Sequence, residues 1–108
     1  MEELTIKEAL TSLVDFTIPR SRVLKALIDA NLDGSAIYNK KDEMLVDLCM
    51  AELLLSLLPY KRITEGGYTV ELPSPIDMRI VRSALLKKWG IVEDDPEESS
   101  IEDISNKW

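Results

Sequence analysis

Histidine is absent from the 108-residue chain. Its absence removes the commonest general base near neutral pH and the commonest transition-metal ligand. Cysteine occurs once, as Cys49. A single thiol cannot close an internal disulfide, so a reducing, cytoplasmic setting is expected. No imidazole exists to activate that thiol, and its place among leucines reads as an inert core residue. Long uncharged apolar runs are also missing. The longest, from Met44 to Leu58, is broken by Asp47 and Glu52, too short and too charged to span a bilayer. The chain opens Met1-Glu2-Glu3, acidic where a secretory leader is basic, so no leader is expected.

A basic surplus is lacking as well. The net charge is -7, and its distribution matters more than its size. Residues 1–90 hold 13 acids and 12 bases, a balance of -1, whereas residues 91–108 hold 7 acids and one base, a balance of -6. The body is nearly neutral and the acidity belongs to the C-terminal segment. That distribution argues against non-specific nucleic-acid binding, which needs a cationic footprint.

What is present suits one small globular domain. Hydrophobic residues make up 45% of the chain, too many for a disordered polymer and enough for one modest core. Such a domain has a total stability on the order of 5–10 kcal/mol.

Helical periodicity predicts four helices. The first runs from about Thr5 to Asp15. Thr5 and Glu8 form a T-x-x-E capping box, and Ile6, Ala9, Leu10, Leu13 and Val14 make the apolar face. The second starts at Pro19, buries Val23, Leu24, Leu27 and Ile28, and ends at Asn31-Leu32-Asp33-Gly34, with Gly34 free to take positive φ. A connection follows, with room for a turn of helix at Ala36-Ile37-Tyr38. The third runs between an Asp42 cap and Pro59 and is apolar nearly all round, with Glu43 and Asp47 sharing one side. Such a helix must be covered nearly all round, by its companions or by another subunit. The fourth follows Ser74-Pro75, buries Met78, Val81, Leu85 and Trp89, and ends at Gly90.

Between the third and fourth helices lies a β-hairpin. Tyr68, Val70 and Leu72 alternate with Thr69 and Glu71, and Gly66-Gly67 supplies the turn. A lone hairpin is marginal in water and must pack on helices or on a neighbour. The fold class is therefore mainly α: a compact four-helix bundle around a central apolar helix, with one hairpin at about 60–72. The domain is expected over residues 1–91, with an acidic arm over 92–108. That arm spaces Ile101, Ile104 and Trp108 at i, i+3 and i+7, as docking anchors would be.

Several motifs carry possible chemistry. Asp29-x-Asn31-x-Asp33-Gly34 matches the opening of an EF-hand loop, but Lys40 stands where a bidentate glutamate must close it, so a capped helix end is the better reading. Gly66-Gly67 lacks the strand-loop-helix setting and lysine of a phosphate loop. Arg79, Arg82, Lys87 and Lys88 give the last helix a local positive surplus. It reads as a solvated face, a nucleic-acid face, or a dock for the acidic arm. No catalytic residue, cofactor site or metal site is expected, and no enzyme.

Four segments together resemble a known group: Thr5-Ile6-Lys7-Glu8-Ala9-Leu10, Asp47-Leu48-Cys49-Met50-Ala51-Glu52-Leu53-Leu54, Ile63-Thr64-Glu65-Gly66-Gly67-Tyr68-Thr69-Val70, and Arg82-Ser83-Ala84-Leu85-Leu86-Lys87-Lys88-Trp89-Gly90. Their order is similar to that in small prophage-region proteins of gut Bacteroidetes, which in turn resemble the helical head–tail connectors of tailed phages. The resemblance spans about Thr5 to Ile91. It implies a structural protein with no catalytic residues, whose subunits stand side by side in a ring between portal and tail. The expected partners are then copies of itself and other subunits such as portal or tail components, in the cytoplasm or the virion. The expected interface residues are Tyr68, Val70, Leu72, Ile101, Ile104 and Trp108. The alternative is a small DNA-associated helical regulator or a protein-binding domain of another role.

Overall fold

A computed structural model of the chain describes residues 3–92. Helix α1 spans Ile6–Thr11, α2 Arg20–Asp29, α3 Glu43–Leu57 and α4 Pro75–Lys88. Strands β1 (Arg62–Glu65) and β2 (Tyr68–Glu71) form one antiparallel hairpin between α3 and α4. The described residues are thus mostly helical, with a single hairpin among them. The expected anchors Ile101, Ile104 and Trp108 lie outside the described residues.

Helix α1 begins where its capping box predicts. The Glu8 amide donates to Thr5 Oγ1 at 3.2 Å, and the Thr5 amide donates to Glu8 Oε1 at 2.9 Å. It stops at Thr11, four residues short of the expected Asp15. The hydroxyls of Thr11 and Ser12 bond back to carbonyls three and four residues earlier, with Ser12 Oγ donating to Ala9 O at 2.7 Å. Such bonds compete with helix propagation. Leu13 and Val14 still pack on the core from irregular chain. A helix of six residues is under two turns, so α1 is a short cover rather than a full member of a four-helix bundle.

The segment before α1 is extended and pairs with residues 34–38, and no turn of helix forms at Ala36-Ile37-Tyr38, where the connection left room for one. Tyr38 N donates to Leu4 O at 2.7 Å, Ile6 N to Ala36 O at 2.8 Å and Lys7 N to Gly34 O at 3.0 Å. A 3-10 turn then occupies Lys40–Asp42 and feeds α3. Pro19 caps α2 from outside the helix rather than opening it. At the other end of α2, Asn31 rather than Gly34 takes the left-handed conformation, with φ 59°. Asparagine tolerates that region through its short polar side chain. Gly34 is needed for a different reason: a Cβ there would stand 2.9 Å from Leu27 Cδ1.

Helix α3 touches each of the other three helices. Val46, Met50, Leu53, Leu54 and Leu57 are buried in the core with Leu10, Val23, Leu27 and Met78. Cover is incomplete, as Met44 and Leu45 are exposed at its first turns. The hairpin register is Ile63 opposite Val70 and Glu65 opposite Tyr68, so Gly66-Gly67 is a two-residue turn. Both glycines have positive φ, the conformation a tight hairpin turn demands. Ile63 enters the core and Leu72 packs against it, while Val70 is half-buried. Helix α4 starts as expected, with Asp77 N donating to Ser74 Oγ at 3.2 Å and Pro75 in the first turn. It ends in a Schellman closure, with Ile91 N donating to Leu86 O and Gly90 at φ 69°.

Candidate interaction surfaces

The buried face of α4 differs from the expected Met78, Val81, Leu85 and Trp89. Its centre is Met78, Arg82 and Leu86, with Val81 and Leu85 on the flank. Arg82 is only 7% exposed, and its Nε donates to Ala51 O of α3 at 3.2 Å. A buried guanidinium tied to backbone is a structural clamp, not part of a solvated cationic face.

Lys88 is also committed inward. Its ammonium lies 2.8 Å from Asp47 Oδ2 and 2.6 Å from Glu43 Oε2, and 5.4 Å from the centre of the Trp89 ring. The Trp89 indole N–H donates to Asp47 at 2.8 Å, and Lys40 reaches the other Glu43 oxygen at 2.8 Å. Asp47 is 2% exposed. The side shared by Glu43 and Asp47 is therefore the seam that receives the end of α4. Hydrogen bonds from Lys40 and Lys88 pull the Glu43 carboxyl down to about 2. Hydrogen bonds from Asp47 and Glu43 push Lys88 above the ordinary lysine range. Of the four basic candidates, then, Arg82 and Lys88 are consumed in holding α4 to α3. Lys87 is exposed and Arg79 is half-buried.

The Asp29–Gly34 stretch is a helix end. The Asp29 carboxylate takes Lys25 Nζ at 2.7 Å, and Asp33 accepts from the Ser35 amide and hydroxyl. Among the described residues no cluster of three acids or thiols is placed to hold a metal ion. Cys49 is buried, and its thiol donates to Ala26 O at 3.4 Å. Burial, with the nearby Asp29 charge, pushes that thiol up to about 11, far from a reactive thiolate at neutral pH.

The outward features are apolar. Tyr68, at the hairpin turn, is 71% exposed, and Ile76 and Ile80 of α4 are 67% and 62% exposed. Among the described residues no third strand pairs with either outer edge of the hairpin. Hairpin and helices interlock at both ends of the hairpin: Ser21 of α2 donates to Glu65 beside the turn, and the Arg22 guanidinium lies 5.1 Å from the centre of the Tyr60 ring just before β1. A groove of about 590 Å³ separates α2 from α3. Ala26, Ala30, Leu45 and Leu48 supply apolar walls, and Arg22 and Glu52 stand among its polar lining. The sequence reading missed this groove. No sequence signal marks it, because Leu45, exposed in the fold, is the same residue type as the buried Leu53 and Leu54 in one apolar run.

A sequence-family profile matches residues 4–108, nearly the whole chain. The protein belongs to DUF6706, a family of unknown function. No curated protein and no solved structure matches this DUF6706 member. The matched range includes residues 93–108 as well as the described ones. Among the described residues, no helix is long and apolar enough to cross a membrane.

Proposed function

We propose that this DUF6706 protein is a non-enzymatic assembly module, of the head–tail connector kind, that joins copies of itself and other structural subunits. The observation that carries this reading is where the apolar side chains lie. All four helices contribute buried side chains to one core, yet large side chains remain exposed on the hairpin turn and along α4, at Tyr68, Ile76 and Ile80. Grouped exposed apolar residues of this size are typical of protein contact surfaces. The charged groups support the same view. Glu43, Asp47, Lys88 and Arg82 are spent on internal contacts, which leaves them unavailable as acid, base or anion clamp. The partners are further copies of the chain and subunits such as portal or tail components, met in the cytoplasm or, for a phage-encoded protein, in the virion. In this reading the contacts are made by two arms, residues 63–72 and 93–108.

Sedimentation velocity across a hundredfold concentration range tests the proposal. The wild-type protein is expected to associate, and Tyr68→Asp to shift association to at least tenfold higher concentration. A wild-type protein that stays monomeric throughout, also with portal or tail subunits added, would refute it.

A further inference from the structure

Two unlike apolar surfaces lie on roughly opposite sides of α3. On one side, α4 seats Arg82 and Lys88 against Ala51, Glu43 and Asp47. Residues spaced by four share a helix face, so Met78, Arg82 and Leu86 look inward while Ile76 and Ile80 form an outward ridge. On the other side, Leu45, Leu48 and Glu52 of α3 face the groove beneath α2. Successive residues turn by about 100°, which sets Leu45 and Glu52 about 140–180° from Glu43 and Asp47, and Leu48 about 100–140° from them.

The two surfaces match in length and in charge. Ile76 to Lys87 on the ridge and Leu45 to Ser56 along the groove each extend about 16 Å at helical rise. The ridge ends in the exposed Lys87, and the groove presents the exposed carboxylate of Glu52. Directly beyond the ridge the chain continues into residues 93–108, which hold 7 acids and one base. The groove's other wall, α2, carries Arg20, Arg22 and Lys25 against the single acid Asp29. A partner entering by its α4 ridge would therefore bring an acidic arm toward a basic helix.

We infer that the α2–α3 groove of one copy receives the outer face of α4 from a second copy, in a head-to-tail contact anchored by Ile76 and Ile80. Rather than changing the assembly function proposed above, the inference rests on it and specifies the contact. A ridge that fits a different surface on the next molecule is heterologous. Such contacts repeat, closing into rings or running on as filaments, and a helix laid in a groove is a recurrent way to build them.

Complementation between two full-length variants tests the contact. Ile76→Asp with Ile80→Asp removes the ridge, and Leu45→Glu with Ser56→Trp blocks the groove. All four positions except Ser56, itself an exposed polar residue, are exposed apolar ones, and circular dichroism verifies that both variants fold. Each variant alone is expected to be monomeric where the wild type is assembled. An equimolar mixture is expected to form one-to-one dimers and nothing larger, because one ridge and one groove remain intact. A mixture that stays monomeric, or variants that assemble like the wild type, would overturn the inference while leaving self-association itself established. A wild type that never associates would remove both this contact and the assembly function.

Discussion

Removing the Asp47 carboxylate should cost a large share of the stability of this protein. Asp47 is buried and holds the Trp89 indole N–H at 2.8 Å, and it shares Lys88 with Glu43. In Asp47→Ala the indole N–H loses a charged acceptor, a loss of about 1.5–3 kcal/mol. The Lys88 contact adds less, because that side chain is 45% exposed and keeps Glu43. The expected total is about 2–4 kcal/mol from a reserve of roughly 5–10 kcal/mol. For a domain of this size the melting temperature should fall by about 10–25 °C. Asp47→Asn keeps an acceptor for the indole and should lose about half as much. Urea unfolding followed by circular dichroism measures both. A double-mutant cycle with Trp89→Phe should show a coupling of about 1–2 kcal/mol. An Asp47→Ala variant within about 0.5 kcal/mol of wild type, or strict additivity with Trp89→Phe, would show that the seam does not hold α4 in place.

Arg82→Ala should cost about 2–4 kcal/mol, since it empties a buried site and removes the charged side-chain bond to the Ala51 carbonyl, while Lys87→Ala should stay within about 0.5 kcal/mol; urea midpoints for the pair separate a clamp from a surface charge. Acid unfolding reports on Glu43. Its folded pKa lies below the ordinary carboxylate value, so its contribution is present above about pH 5 and is lost as pH falls toward about 2; Glu43→Gln should flatten that part of the stability curve and leave the slope near neutrality unchanged. Gly34→Ala pushes a Cβ to 2.9 Å from the end of the Leu27 side chain, and about 1 kcal/mol of destabilisation should register as a few degrees in melting temperature. Cys49 should react with a disulfide reagent at pH 8 orders of magnitude more slowly in the folded protein than in urea; equal rates would contradict its burial.

Local chemistry made much of the fold legible in the sequence. Ser74-Pro75, Gly66-Gly67 and Gly90 each permit few backbone conformations, and the structure places all three as expected. The central helix was legible because its apolar run is bounded by Asp42 and Pro59. Misjudged features depended on tertiary partners. The end of α1 was set by two hydroxyls bonding backward, and the pairing of residues 4–7 with 34–38 joins segments some thirty residues apart. Asp47 and Arg82 look like surface residues by type. Only the approach of α4 to α3 buries them and gives each its partner. For the same reason the basic surplus of α4 was legible as composition, but its division between clamp and solvent was not. Among the expected interface residues, Tyr68 is at the surface, whereas Leu72 is packed against the core and so is better placed to anchor the hairpin than to reach a neighbour.

Electron microscopy of the concentrated full-length protein tests the assembly role most directly. Connector-like self-association predicts uniform closed rings, or short stacks of them, that disappear with Ile76→Asp and Ile80→Asp. Fields of single small particles at every concentration, unchanged by those substitutions, would contradict it.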